Sequence, residues 1–184
     1  MTTLQFLVGV DGGGSGTRVR LQRCGGPERA MGQGGPSALA LGVDAAWSAI
    51  DTALTQAFAQ SGLQRPPDHA LAVGIGIAGS NVPSWAGAFT AAAPAFGALC
   101  VDSDAYTTLL GAHSGAPGAI VAVGTGIVGL AFRPDGTRHA VGGWGFPGGD
   151  EGSGAWIGLQ AAAHLERVYD GSETGGPLAQ ALSA

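Results

Sequence analysis

One pattern occurs twice in this chain and limits what it can fold into. An apolar run ending at Val10 meets Asp11, the three glycines Gly12, Gly13 and Gly14, then Ser15 and Thr17, and the chain returns as Arg18-Val19-Arg20-Leu21. An apolar run ending at Val123 meets Gly124-Thr125-Gly126 and returns from Ile127 to Arg133. Placing Val123 on Val10 superimposes strand, glycine turn, strand, turn and strand, with little residue identity. Consecutive glycines cost backbone entropy, so they persist where a side chain would obstruct something. Turned backbone N–H groups form an anion-binding concavity, and phosphate on the main chain is one such obstruction; a tight hairpin with a glycine bulge is the plainer alternative. Two such turns at equivalent places imply a ligand held between two domains.

The elements between the turns read as mixed α/β. Gln5–Val10, 17–23 and 28–32 form a strand meander. From Val43, the residues Trp47, Ile50, Leu54, Ala57 and Phe58 recur at helical spacing, with Gly62 placed to cap the end. Residues 70–78 suit a buried parallel strand, 82–93 a helix, 98–101 a short buried strand and 105–113 a third helix. This completes a first domain over 1–114. The pattern restarts with strands at 119–123, 127–133 and 138–141 and a helix ending near Tyr169, after which 170–177 reads as loop. Residues 115–184 are therefore expected to be an incomplete second copy.

Composition narrows the function. All eight basic residues are arginine, which excludes lysine-dependent phosphate clamps and Schiff-base chemistry. A net charge of −5 offers no footprint for nucleic acid. The apolar runs fall short of the ~20 residues a membrane helix needs, and the N-terminus lacks a secretory signal pattern. These features point to a cytoplasmic protein with Cys24 and Cys100 as buried, reduced residues. Trp47, Trp85 and Trp156 read as core, and the four histidines show no metal-ligand spacing. Ser15, Ser37, Ser80 and Ser153 are nucleophile candidates by residue type alone.

Three sets of residues carry candidate chemistry. Asp11 cannot bind phosphate directly, but it suits a magnesium ion held directly or through water and bridged to phosphate oxygens. Asp104 follows a strand at the end where open α/β sheets place ligands. It reads either as a helix N-cap or as a general base taking a proton from a substrate hydroxyl. Trp144 and Asp150 flank a glycine-rich loop, where an aromatic ring and a carboxylate suit a sugar; helix-dipole stabilisation is the plainer account of Asp150.

Together these motifs resemble the sugar-kinase, Hsp70 and actin superfamily, and within it the BadF/BadG/BcrA/BcrD-type ATPases that include N-acetylglucosamine and glucosamine kinases. The carriers are Asp11 through Thr17, Ser103-Asp104-Ala105, Val123 through Gly126, and the long segment from Gly142 to Gly158. The resemblance implies an actin-like ATPase (ribonuclease H-like) domain with a mixed five-stranded sheet, followed by the incomplete second copy. It implies that Gly12, Gly13, Gly14, Ser15, Thr17, Gly124, Thr125 and Gly126 meet ATP phosphates. Asp104 would be the catalytic base, and Gly143, Trp144, Gly145 and Asp150 would line the sugar site. ATP, Mg²⁺ and a small amino sugar are the implied ligands, and a homodimer is the commonest assembly for such a chain. Gly16 stands where the family commonly has lysine, Gly35-Pro36-Ser37-Ala38 lacks its asparagine, and Ile127 replaces its serine. A non-catalytic nucleotide or sugar sensor and the ATPase activator of a radical dehydratase are the alternatives.

Overall fold

Small residues set the closest packing in the first sheet. Helix α1 (Val43–Ser61) turns Ala46, Ala49, Ala53 and Ala57 inward, all buried, and packs on strand β3 (Glu28–Gly34). Gly32 and Gly34 face the helix backbone at Ala53 and Ala49 so closely that no side chain fits there. Gly62 ends α1 in the left-handed region at φ 68°, as its C-terminal position predicts.

Beyond β3, strands β2 (Thr17–Arg23), β1 (Phe6–Gly12), β4 (Leu71–Ile77) and β5 (Ala98–Asp102) complete a sheet in the order β3-β2-β1-β4-β5. The first three strands pair antiparallel, and β1-β4 and β4-β5 pair parallel. Alternation on β1 and β2 buries Phe6, Val8, Val10, Val19 and Leu21 with Ile50, Leu54 and Phe58 of α1. Each fully buried side chain of this size contributes roughly 1.5–3 kcal/mol. Helices α2 (Pro83–Ala91) and α3 (Asp104–Ala112) follow β4 and β5. The computed structural model describes residues 3–145 and 147–183, so Phe146 of the expected signature segment lies outside the described residues.

The chain divides into two compact units, 1–111 and 112–184. In the second, β6 (Gly118–Val123), β7 (Ile127–Phe132) and β8 (Arg138–Gly142) form an antiparallel meander. Helices α4 (Gly154–Tyr169) and α5 (Pro177–Leu182) follow. Val121 and Val123, which correspond to the buried Val8 and Val10, are 71% and 63% exposed.

Several expectations need correction. The strand at 98–101 is the sheet's edge strand and only partly buried, because nothing pairs with it beyond β4. Cys100 is therefore exposed, and Cys24 is exposed in the turn after β2. Trp47 stacks on Phe89 with ring centroids 4.2 Å apart, but Trp85 and Trp156 are exposed rather than core. Pro177, the last residue of the segment read as loop, opens α5 at a helix-starting position. Among the described residues, no helix is long and apolar enough to cross a membrane.

Candidate active site

In the first unit, the β1–β2 hairpin closes over residues 13–16 through a bond from Gly13 N–H to the Gly16 carbonyl, 3.0 Å. The turn's carbonyls are held from behind. The Gly12 carbonyl accepts from Ala78 N–H at 2.9 Å, and the Gly13 carbonyl accepts from Ser37 and Ala38 N–H at 3.0 and 3.2 Å. An anion site needs donors, and occupying these acceptors elsewhere suits one. A Cβ on Gly12 would stand 2.5 Å from Ser37 Oγ, so the approach of the 35–39 segment requires glycine.

Thr17 and Ser37 are fully buried behind this turn. Thr17 Oγ1 donates to the Gly35 carbonyl at 2.7 Å and lies 2.8 Å from Ser37 Oγ. Their hydroxyls thus tie the turn to the neighbouring segment. In front lies a cleft of about 310 Å³ lined by Asp11, Ser15, Arg18 and Gln33 among others. Arg18 Nη1 is 3.8 Å from Asp11 Oδ2, with both side chains largely in solvent. Arg18 sits opposite Asp11 in the hairpin register and brings a cation to a turn that has no lysine.

The second unit repeats this construction with different parts. Residues 124–126 close through Gly124 N–H to the Gly126 carbonyl, 2.8 Å. Here the first N–H groups of α4 hold the turn: Gly154 donates to the Gly124 carbonyl at 2.8 Å and Ala155 to the Thr125 carbonyl at 3.0 Å. Ser153, fully buried, caps α4 by accepting from Trp156 N–H at 3.2 Å.

Asp150 is the buried polar side chain of the second turn, packed against Gly126 as Ser37 is packed against Gly12. It is 7% exposed and adopts φ 70°, uncommon for a residue with a side chain. Its Oδ1 accepts from Ile127 N–H at 3.0 Å. A Cβ on Gly126 would stand 3.0 Å from that oxygen, a contact to which the carboxylate would have to give way by a few tenths of an ångström. Gly143 N–H donates to the Ile127 carbonyl at 3.0 Å, and Gly149 N–H to the Gly145 carbonyl at 2.9 Å. Trp144, on the loop between them, is 87% exposed.

Asp104 opens α3 directly after β5, and the capping role belongs to its neighbour. Ser103 Oγ accepts from Tyr106 N–H at 3.1 Å, and the Ser103 carbonyl accepts from Thr107 N–H. Asp104 is half-buried; its Oδ1 accepts from its own helix's Ala105 N–H at 2.8 Å. The N-cap reading of Asp104 is thereby replaced, and a carboxylate without that duty remains at the carboxyl end of the sheet.

Sequence reasoning missed the buried Thr17–Ser37 pair, Arg18 and the Ser153 cap. Ser153 carried a signal, a serine just before an apolar helical run. Arg18 was legible from strand alternation opposite Asp11. Ser37 carried none, because its role depends on a contact across twenty residues. Among the described residues, no group of three or more His, Cys, Asp or Glu could hold a metal ion.

Comparison with known proteins supplies a context for this geometry. The model of the BadF/BadG/BcrA/BcrD ATPase family matches residues 8–181. The glucosamine kinase GspK of Vibrio cholerae serotype O1 is 35% identical over 175 residues, covering 95% of this chain and 59% of that protein. A Chromobacterium violaceum protein solved as a candidate N-acetylglucosamine kinase superposes with TM-score 0.95 at 48% identity, over 97% of this chain and 63% of its own. A similarly described Porphyromonas gingivalis protein, 22% identical with TM-score 0.68, covers 95% of this chain and 60% of its own and shares the fold. The chain thus spans about three-fifths of the length of these relatives.

Proposed function

Because this chain belongs to the BadF/BadG/BcrA/BcrD ATPase family and has the actin-like ATPase fold, we propose that it is the ATP-phosphate-binding and base-bearing portion of an amino-sugar kinase. The acceptor would be glucosamine or N-acetylglucosamine, the sugars named for its relatives. The observation that carries the reading is Asp104, a half-buried carboxylate at the end of β5 whose capping duty Ser103 performs. In that role Asp104 accepts the proton of the attacking sugar hydroxyl as it reaches the γ-phosphorus of ATP. Phosphoryl transfer needs chiefly positioning and charge neutralisation.

The glycine turns at 12–15 and 124–126 are assigned to the phosphates, with Ser15 and Thr125 adding hydroxyl donors. Thr17 acts from behind the first turn, through Gly35 and Ser37. Arg18 takes up part of the charge that lysine would otherwise meet. Asp11 fits Mg²⁺ as a single exposed carboxylate, since Mg²⁺ keeps several waters and binds through one or two carboxylates plus substrate phosphates. Bound there, the ion would screen the phosphate charge.

Trp144 offers a solvent-facing ring for the sugar, with Gly143 and Gly145 allowing close approach. Asp150 has one oxygen committed to Ile127 N–H, which leaves the other for a sugar hydroxyl. The test is ADP release from ATP·Mg²⁺ with and without each amino sugar. Sugar-stimulated release is expected, with ordinary glucose a weaker stimulus. Release indifferent to sugar would contradict the reading and favour a sugar-independent ATPase, and no release at all would favour a non-catalytic sensor.

A further inference from the structure

Helix α3, which carries Asp104, meets the sheet at one very close contact. A Cβ on Gly76 of β4 would collide with Thr107 Oγ1 and stand 2.8 Å from Thr107 Cβ. Thr107 therefore sits directly on the Gly76 backbone. Turning its side chain about χ1 would not make room, because Thr107 Cβ itself is well inside the about 3.5–4.0 Å at which carbons rest. Gly74, on the same face of β4, would meet nothing within 4 Å, so the need for glycine on this face is specific to position 76.

The residue seated on Gly76 also holds the backbone of Asp104. Thr107 N–H donates to the Ser103 carbonyl at 3.1 Å, and Thr107 Oγ1 donates to the Asp104 carbonyl at 3.0 Å. Gly76 pairs in register with Asp11 of β1, and alternation puts both on the face opposite the core that holds Val10, Ile75 and Ile77. Neighbouring strands stand about 4.7–4.9 Å apart, so the seat of Thr107 is one strand spacing from Asp11. The helix bearing the base is thus keyed to the strand beside the one that leads into the phosphate turn.

We propose that Thr107, seated on Gly76, is a positioning residue that fixes where Asp104 stands relative to the phosphate turn. The inference rests on the sugar-kinase reading for what Asp104 does, and goes beyond it in naming what holds Asp104 in place. A misplacement of about 1 Å can cost on the order of 10²-fold in rate. Gly76→Ala, which pushes Thr107 off its seat, is expected to lower kcat for sugar-stimulated ADP release roughly tenfold or more, with KM for ATP and sugar little changed. Adding Thr107→Gly, which removes the atoms that the new methyl strikes, should recover part of that kcat. Thr107→Val keeps the shape of the seat and should retain most of the turnover. Thr107→Ala empties the seat without a clash and should lose kcat several-fold, which carries the test if Gly76→Ala does not fold.

The amide of Ala105, which donates to the Asp104 carboxylate, reports the same contact without catalysis. Its resonance in the ¹⁵N-labelled full chain should shift in Gly76→Ala and move back in the double variant. An unmoved Ala105 amide, kcat unchanged in both Gly76→Ala and Thr107→Ala, or a loss that Thr107→Gly deepens would each overturn the positioning role. A parent chain without sugar-stimulated release would discard the kinase, and the Ala105 shift and its reversal would still decide whether Thr107 sets the place of Asp104.

Discussion

The two glycine turns follow one plan by different means. Each is a hairpin loop closed by a backbone bond across it, with its carbonyls engaged from behind and a buried polar side chain pressed against a glycine. In the first unit the backing is neutral: Ser37 and Thr17 share hydroxyl bonds beneath a sheet covered by α1. In the second it is a carboxylate, Asp150, at positive φ beside the N-terminus of α4. The first turn is anchored at Gly12, where Ser37 and Ile77 leave no room for a side chain, while Gly13 and Gly14 face nearly open space. The second depends on one charged residue, in a unit where Leu130 and Ala179 are the buried apolar residues described. Substitutions at the first should therefore act mainly on stability, and those at the second mainly on the site.

The largest expected effect is Gly12→Val, which overpacks the first turn against Ser37 and Ile77. It should lower stability by about 3 kcal/mol, measured by urea unfolding, in line with overpacked cores. Gly126→Ala places a methyl against the Asp150 carboxylate at a distance the carboxylate must yield to. A loss of about 1 kcal/mol is expected, with a larger rise in KM for sugar than the stability change alone would give. Equal effects of the two substitutions on melting would break the contrast between the turns.

Asp150→Asn sharpens it further. Asparagine tolerates the left-handed region and keeps an acceptor for Ile127 N–H. Melting should therefore change by less than about 0.5 kcal/mol, while sugar KM rises. The smallest effect lies at the α4–α5 connection. Hydrogen bonds from Arg167 and His164 hold the Glu173 carboxyl below the usual carboxylate range. A depressed carboxyl contributes stability above its ordinary value and loses it as pH falls through the lowered one. Amide exchange in α5 should quicken over that acidic window, and Glu173→Gln should remove the pH dependence.

Much of the first unit was legible because its signals are local. The helical spacing from Trp47 to Phe58 and the cap at Gly62 both stand in the structure. So do the alternating meander and the apolar parallel strand β4. What escaped depends on neighbours distant in sequence. Cys100 is exposed because β5 is an edge strand, and no property of residues 98–101 reveals an edge. The assignment of the cap to Ser103 rather than Asp104 turned on one residue, within the normal uncertainty of helix ends. Asp150 was legible as an acid beside a glycine loop; its engagement with Ile127 N–H was not, since the two are 23 residues apart.

The claim that Asp104 is a base freed from capping is tested most directly by pairing Asp104→Asn with Ser103→Ala in the same assay. Asp104→Asn should melt with the parent and lose about 10²–10⁴-fold in sugar-stimulated ADP release, the usual contribution of a general base. Ser103→Ala should lose about 1 kcal/mol of stability, as lost caps do, and keep most of its turnover. The opposite pattern, a destabilised but active Asp104→Asn, would return Asp104 to the role of a cap and contradict the account.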